Sequence, residues 1–411
     1  MTRIIKTSIT LLSILLLSWA LPTIYKFICS TPYESPLTLY SCVIHDFVTF
    51  TFGNDDNVAG VDMHGTSYSD HQFDSIMPTI FFNRLAKEGR LPDRIDDKQF
   101  DLKTVERSNF VFRSKPSDLN KPHIPLHMLM ESMPKDGILR MPSDVFRITD
   151  QGLEFVKMSG NCIDREKSTR FTHALQKRGF IFPAQAVAVN ASTHKAYDNG
   201  CLLIDKEGQA FHMKQIQGRP YIRRIIHADT ISFKHAFLTE FPDRRLLGFL
   251  VDNQGNLFAT ESSDLSIHQL PLSTFNPTQD RIVIAGDMFY WTIIRERNDG
   301  EHLSAIRAAD YKLVGTQELE FPQAKWKQIR KWIFPFRLEF ISFADKYLKP
   351  RLVDSSWQAI WFNILLAIGY WLRLNRKDTT TLIHIVGIML LGLFAFIPLI
   401  VQYGGKRTQE T

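Results

Sequence analysis

Three uncharged stretches constrain this 411-residue sequence more than any other feature: 19 residues from Thr7 to Tyr25, 18 from Ser355 to Leu372 and 27 from Thr379 to Gly405. A helix needs about 20 apolar residues to cross the hydrocarbon core of a bilayer. Each run is therefore expected to form a transmembrane α-helix. The first follows a short basic start, Arg3 and Lys6. It reads either as a cleaved signal peptide, with Ser18-Trp19-Ala20 loosely fitting the small-x-small pattern, or as an uncleaved anchor. The anchor is favoured, because apolar residues continue past Ala20 through Leu21, Ile24, Phe27 and Ile28. Bulky Phe27 and Ile28 argue against lipidation at Cys29. The link between the other two runs, Arg373 to Asp378, has room only for a tight turn at one membrane face.

Orientation follows from the basic residues. Arg3 and Lys6, with Arg373, Arg376 and Lys377, favour the cytoplasm for those ends by the positive-inside rule. The region from about residue 30 to 352 then forms an extracytoplasmic domain, facing the periplasm if the membrane is a bacterial inner membrane. Lys346, Lys349 and Arg351, just ahead of the second run, argue for the inverted arrangement.

The formal charge of +6 has a local source. Between Pro322 and Arg351 eight basic residues face Glu339 and Asp345, and the rest of the chain is neutral on balance, so no nucleic-acid surface is implied. Trp326, Ile329, Ile333, Phe336, Phe340 and Tyr347 recur there at near-helical spacing, broken at Pro335. Such a segment suits the lipid headgroup layer, with membrane lipid as its partner, or an amphipathic connector packed on protein.

The middle of the chain repeats itself. "LLIDKEGQAFHMK" from Leu202 and "FLVDNQGNLFATE" from Phe249 each place an apolar run before Asp-x-x-Gly and an apolar run after it. A strand, a turn in which Asp bonds the backbone and Gly takes positive φ, and a returning strand give this pattern. Looser copies contain Gly152 and Gly300, so the four glycines recur every 45 to 56 residues. That spacing suits propeller-like hairpin units over residues 145–321, and "VAGVDMHGTSY" offers a further hairpin; a large twisted sheet or a sandwich is the alternative. Asp205 and Asp252 lack the dense ligand series of a calcium loop.

Residues 30–144 form an α-containing part. Ser69 and Gln72 make a capping-box pair before the apolar positions Phe73, Ile76, Met77, Ile80, Phe81 and Leu85, with Pro78 as a kink or limit and an end near Gly89. A short helix follows from Asp101, then an extended, proline-dense chain through Pro116, Pro122, Pro125, Pro134 and Pro142. The resulting division is 1–29 anchor, 30–144 α/β part, 145–321 β-repeat part, 322–352 basic aromatic segment, 353–405 helical hairpin and 406–411 tail. The fold class is a mainly β extracytoplasmic domain with three transmembrane helices.

Chemistry is sparse. His64, His71 and Asp74, with Asp62 and Asp70 beside them, are the candidate metal ligands, since a helical His71 and Asp74 share a face; against them, Asp70 and Asp74 suit a helix N-terminus, His64 suits a turn, and no established ligand motif is present. His123, His127 and Glu131 are spaced by four, but Pro125 breaks the helix they would need. No phosphate loop, dinucleotide fingerprint, nucleophile elbow or H-E-x-x-H is present, and no cofactor is expected. Cys29, Cys42, Cys162 and Cys201 have no zinc-like spacing, and Cys162–Cys201 or Cys29–Cys42 are candidate disulfides. Asn363 and His384 are the polar groups of the C-terminal runs.

"FDSIMPTIFFNRLAKEGRLPDRI", "FVFRSKPSDLNKPHIPLHMLMES" and "MPSDVFRI" resemble an uncharacterised bacterial family of similar length, with an N-terminal anchor, a large β-rich domain and a C-terminal pair of spans. The resemblance covers almost the whole chain and implies an association with ABC transporter ATPases and permeases. The expected role is a non-enzymatic accessory or partner-binding subunit. A membrane-tethered metal-dependent enzyme and a ligand-binding sensor are the alternatives.

Overall fold

The computed structural model describes residues 2–30, 36–50, 58–95, 98–228, 230–297, 300–321, 325–374 and 378–403. They divide into two units, residues 36–320 and residues 1–35 with 321–411.

Residues 36–320 are built from antiparallel meanders, because short apolar runs alternate with turn residues along this part of the chain. The first sheet takes Thr38–Tyr40, Phe47–Phe50, Val58–Asp62 and Ser67–Ser69; the second takes Asp144–Ile148, Leu153–Lys157 and Cys162–Ile163. The third takes Ala186–Val189, Cys201–Ile204, Ala210–Ile216 and Arg219–Arg224. The fourth takes Phe233–Leu238, Leu246–Asp252, Leu257–Glu261 and Ile267–Gln269. The fifth takes Arg281–Gly286, Tyr290–Glu296, Gly300–Arg307 and Leu313–Glu320, and Phe110–Ser114 adds a fifth strand beside Arg281–Gly286. Thus a strand from the N-terminal part completes the last meander. The fold is mainly β, made of many small sheets.

Shared cores join these sheets. Phe146, Phe155, Phe171 and Phe211 link the second and third, and Leu202, Ile204, Phe233 and Leu250 link the third and fourth. Phe249, Leu257, Ile284 and Trp291 link the fourth and fifth, and Tyr40, Phe47, Ile294 and Leu303 link the fifth and first. Burial of such side chains stabilises by roughly 1.5–3 kcal/mol each.

The Asp-x-x-Gly repeat is scaffold. Asp205 Oδ1 accepts the N–H groups of Glu207 and Gln209 at 2.9 and 2.8 Å, and Gly208 has φ 81°. Asp252 Oδ1 accepts Gln254 and Asn256 at 2.9 and 2.8 Å, and Gly255 has φ 84°. Each turn is also tied to the chain leading into the next sheet: the Gly208 carbonyl accepts Phe233 N–H at 2.9 Å and the Gly255 carbonyl accepts Phe275 N–H at 2.8 Å. Asp62 repeats the device with the N–H groups of His64 and Thr66 and the Tyr68 hydroxyl. The looser copies differ. Thr149 Oγ1, not an aspartate, accepts the N–H of Gly152 at 3.2 Å. Gly300 begins a strand rather than serving as the turn glycine; a Cβ there would collide with the Leu319 carbonyl.

The Ser69–Gln72 capping box opens a helix over Asp70–Ile76, and Pro78 begins a second one over Pro78–Lys87 rather than kinking a single helix. Asp101 caps Leu102–Ser108 through the Thr104 N–H. Arg165–Lys177 is a further helix, capped by Asp164 and seated through Phe171 and Leu175 in the core of the second and third sheets.

In the other unit, Thr2–Cys29 contains one helix, Ile4–Cys29, long and apolar enough by itself to cross a membrane. Of the three expected spans, the C-terminal two are shorter apolar helices among the described residues. Ala359–Leu374 is 16 residues, and the 27-residue uncharged run is not one helix but two, Thr379–Leu391 and Leu393–Tyr403. Gly392, at φ 60° and ψ −132°, separates them. These helices share a core of Tyr370, Ile388, Ala395 and Leu399 with Ile14 of the N-terminal helix, and Thr10 Oγ1 donates to Gln402 Oε1 at 2.9 Å.

The basic segment folds with these helices. Lys325–Ile333 is helical, its Arg330 is buried against Asp354 at 2.6 Å, and Arg351 pairs with Asp345 at 2.6 Å. Part of the local charge is therefore neutralised internally, while Trp332, Ile341, Phe343, Leu348, Leu352 and Trp357 remain exposed.

Candidate functional site

The residues singled out for metal binding do not come together. His64 is exposed in its turn, 3.6 Å from Asp46 Oδ2. His71 is exposed on the short helix. Asp74 is buried on the opposite task, paired at 3.1 Å with Arg84 Nη1. Asp70 lies exposed in the first helical turn, and Asp62 is consumed by the turn bonds above. Burial works to raise the Asp62 carboxyl, yet the hydrogen bonds from Thr66, Tyr68 and His64 hold it below the usual carboxylate range. Among the described residues no group of three or more His, Cys, Asp and Glu side chains is placed to hold a metal ion.

His123, His127 and Glu131 lie on the proline-dense chain, not on a helix. His127 pairs with Phe146 as an isolated bridge, its N–H reaching the Phe146 carbonyl at 2.8 Å. Burial, with His123 beside it, pushes its imidazole down to about 4. Glu131 instead caps the turn after Ile216, accepting Gln217 and Gly218 N–H at 2.6 and 3.0 Å. All four cysteines are free, and Cys201 is fully buried, so neither candidate disulfide is formed.

One charged cluster escaped the sequence reading because it sits in "NASTHKAYDNG", which has only loop character. Lys195 Nζ donates to Asp198 Oδ1 at 2.6 Å, Glu240 Oε1 at 2.7 Å and the Asn190 carbonyl at 2.6 Å. Glu240 also accepts Asn199 N–H at 2.7 Å, and Asp198 accepts Gly200 N–H at 2.9 Å. The ammonium therefore has a full set of acceptors and both carboxylates are engaged. It locks the 190–200 loop to the fourth sheet and leaves little capacity for chemistry.

The candidate site is a cavity of about 420 Å³ between the first and fifth sheets. Its wall follows from strand periodicity. Along Phe110–Ser114 and Arg281–Gly286, Phe112, Ile282 and Ile284 turn into the core shared with the fourth sheet. Val111, Arg113, Val283 and Ala285 alternate with them and line the cavity. Leu39, Tyr40 and Phe50 supply the facing wall, and Met77, Thr79 and Ile80 come from the junction of the two short helices. Gly286 permits the closure: a Cβ there would stand 2.6 Å from the Trp291 ring and overlap Phe110.

Polar groups in this lining are few. Asn109 Nδ2 donates to the Thr79 carbonyl at 2.5 Å, whereas its Oδ1 is buried with no partner among the described residues. Asp287 Oδ1 accepts Phe289 and Tyr290 N–H at 2.7 and 2.8 Å; burial outweighs these bonds and raises its carboxyl above the ordinary range. Leu37, Ile80 and Val111 are exposed, as is Arg113. A half-open apolar pocket with a few placed polar groups is suited to holding a small molecule. The Thr79 side chain hydrogen-bonds the Asp287 carboxyl within this lining. In sequence, the alternation in "FVFRS" is visible, but which sheet it joins is not.

A family model described as a domain of unknown function, DUF4857, matches residues 37–306. No curated protein matches the chain. Among solved structures it is similar to the Dos1 propeller at 10% identity, covering 43% of this chain and 45% of that one, with a TM-score of 0.25. It is similar to the dihydro-heme d1 dehydrogenase NirN at 8% identity, covering 70% and 72%, with a TM-score of 0.23. The WD40 domain of SCAP from fission yeast matches at 10% identity over 56% and 58%, with a TM-score of 0.19. The chain thus spans less than half of the first of these structures, and scores this low carry no argument.

Proposed function

The chain belongs to this family of unknown function, and from its own geometry we propose a membrane-anchored, non-enzymatic protein whose β-rich unit binds a small, largely apolar ligand. The observation that carries the reading is the cavity between the first and fifth sheets, apolar in its lining and opening among exposed Leu37, Ile80 and Val111.

Anchoring is supported by Ile4–Cys29. The shorter C-terminal helices join it in our reading as a membrane-embedded bundle, since Leu365, Leu372, Leu382, Ile383 and Leu390 face outward from their packed core. The exposed Trp332, Phe343 and Trp357 suit the headgroup layer. With the basic ends on the cytoplasmic side, the β-rich unit faces the periplasm of a bacterial inner membrane. The family resemblance to proteins that accompany ABC transporter genes extends the proposal to an accessory subunit of such a complex. The test is to tag the protein at native expression level, solubilise gently and identify what co-purifies. Recovery of an ATPase and a permease in fixed proportion is expected. Recovery of the protein alone would overturn the accessory role and leave ligand binding as the function to be measured.

A further inference from the structure

Arg113 is the cationic residue of the cavity lining, and its guanidinium has no ion-pair partner among the described residues. It lies two residues from Val111 on the same face of the strand, so a charge with no ion-pair partner among the described residues stands next to the exposed apolar residues of the opening. Asp287 is the acidic residue of the lining, but its Oδ1 is held by two backbone N–H groups. Burial raises its carboxyl above the ordinary range, and the exposed Arg113 guanidinium is the charge that stands at the opening.

We propose that the cavity holds a single-chain amphiphile with an anionic headgroup, its hydrocarbon chain between Leu39, Phe50, Met77 and Ala285 and its headgroup paired with Arg113. The inference rests on the reading of this cavity as a binding site and adds the chemistry of what it binds. Two features argue for it over a polar metabolite or a wholly apolar molecule. The walls offer mainly hydrocarbon and aromatic surface, against which the polar groups of a metabolite would be left without partners. Among the described residues the rim offers the guanidinium of Arg113 without an ion-pair partner, a group that forms strong charge-assisted bonds to a carboxylate or phosphate and is left unused by a wholly apolar ligand. The source of the anion, a free fatty acid or a single-chain phospholipid, involves the same chemistry.

The test uses the full chain in lipid nanodiscs and photo-crosslinking probes with a twelve-carbon chain and a diazirine near the methyl end. One probe carries a carboxylate, one a hydroxyl and one a quaternary ammonium. Peptides labelled on irradiation are mapped by mass spectrometry, with unlabelled dodecanoate and dodecyl phosphate as competitors. Labelling of the cavity segments by the carboxylate probe is expected to exceed that by the ammonium probe at least tenfold. Arg113→Ala is expected to abolish that preference, and Arg113→Glu to reverse it. Arg113 is exposed and outside the core, and Arg113→Lys is the control expected to retain the preference. Competition by dodecanoate or by dodecyl phosphate identifies the source. Equal labelling by all three probes, or a preference unchanged in Arg113→Glu, overturns the anionic headgroup while leaving a binding cavity. Absence of cavity labelling by every probe overturns the binding reading itself.

Discussion

Asn363 occupies the space beside Gly392 that a side chain on residue 392 would need. Asn363 Nδ2 donates to the Met389 carbonyl at 3.1 Å, and its Oδ1 stands where a Cβ on Gly392 would be built. The contact explains why one long apolar run becomes two helices: the backbone turns at a residue with φ 60°, where only glycine is unstrained. Gly392→Ala is expected to destabilise the helical unit by about 1–3 kcal/mol from backbone strain, with a further loss from the collision. Adding Asn363→Ala should recover the collision component and not the strain. Thermal unfolding in a fixed detergent checks both; equal stability of Gly392→Ala and the parent would show that the break is not imposed here.

Asp74 and His71 provide a second prediction, because they separate a structural role from a metal role. Asp74→Ala removes a buried carboxylate paired with the half-exposed Arg84 and is expected to cost about 1 kcal/mol. His71→Ala alters an exposed side chain and is expected to leave stability within about 0.5 kcal/mol. Elemental analysis of purified protein should find metal content unchanged in both. A stoichiometric transition metal lost from both variants would reinstate the metal-dependent enzyme.

These two cases show what the sequence made legible. Local signals were readable: the Ser69 capping box, Asp101 as a helix cap, and the turns at Asp205 and Asp252 are each specified within a few residues. The helix Arg165–Lys177 was not, because its apolar contribution to the core is limited to Phe171 and Leu175 with the small Ala174, and most of its other positions are polar. The break at Gly392 depends on Asn363, 29 positions earlier, and periodicity within a single run carries no trace of it. The cavity is less legible still. Its walls come from Phe110–Ser114 paired to Arg281–Gly286, a pairing across about 170 residues that no local pattern announces.

The turn aspartates support a third prediction. Asp205 Oδ1 accepts two N–H groups and its Oδ2 accepts Ile181 N–H at 3.2 Å, while Asp252 Oδ2 accepts Asn256 Nδ2 at 2.7 Å. Their oxygens are thus committed to protein donors, and calcium would have to displace those bonds. Asp205→Ala and Asp252→Ala are each expected to cost about 1 kcal/mol by leaving the N–H groups of their turns without these acceptors. A chelator added to the parent protein should leave its unfolding temperature unchanged. A clear drop on chelation, restored by calcium, would refute the scaffold reading of these turns.

The last prediction concerns acid. His212 is buried in the third sheet, where its Nε2–H donates to the Asn199 carbonyl at 2.8 Å. Burial pushes its imidazole down to about 4; the Asn199 bond opposes this, while Lys214 and Arg223 add to it. His127 is held at about 4 by burial and His123. In the unfolded chain a histidine titrates near 6.5, so between about pH 6.5 and 4 the unfolded state binds protons that the folded state refuses. Stability contributed by the neutral rings is therefore complete above that window and falls as pH drops through it. The full loss is on the order of 3 kcal/mol for each histidine. His212→Gln retains a donor for the Asn199 carbonyl but cannot titrate, so its acid limb should be shallower by about that amount. Urea midpoints of parent and variant at about pH 7, 5.5 and 4.5 give the comparison directly. Parallel curves for the two proteins would mean that His212 takes up its proton within the fold and that the Asn199 loop yields to accommodate it.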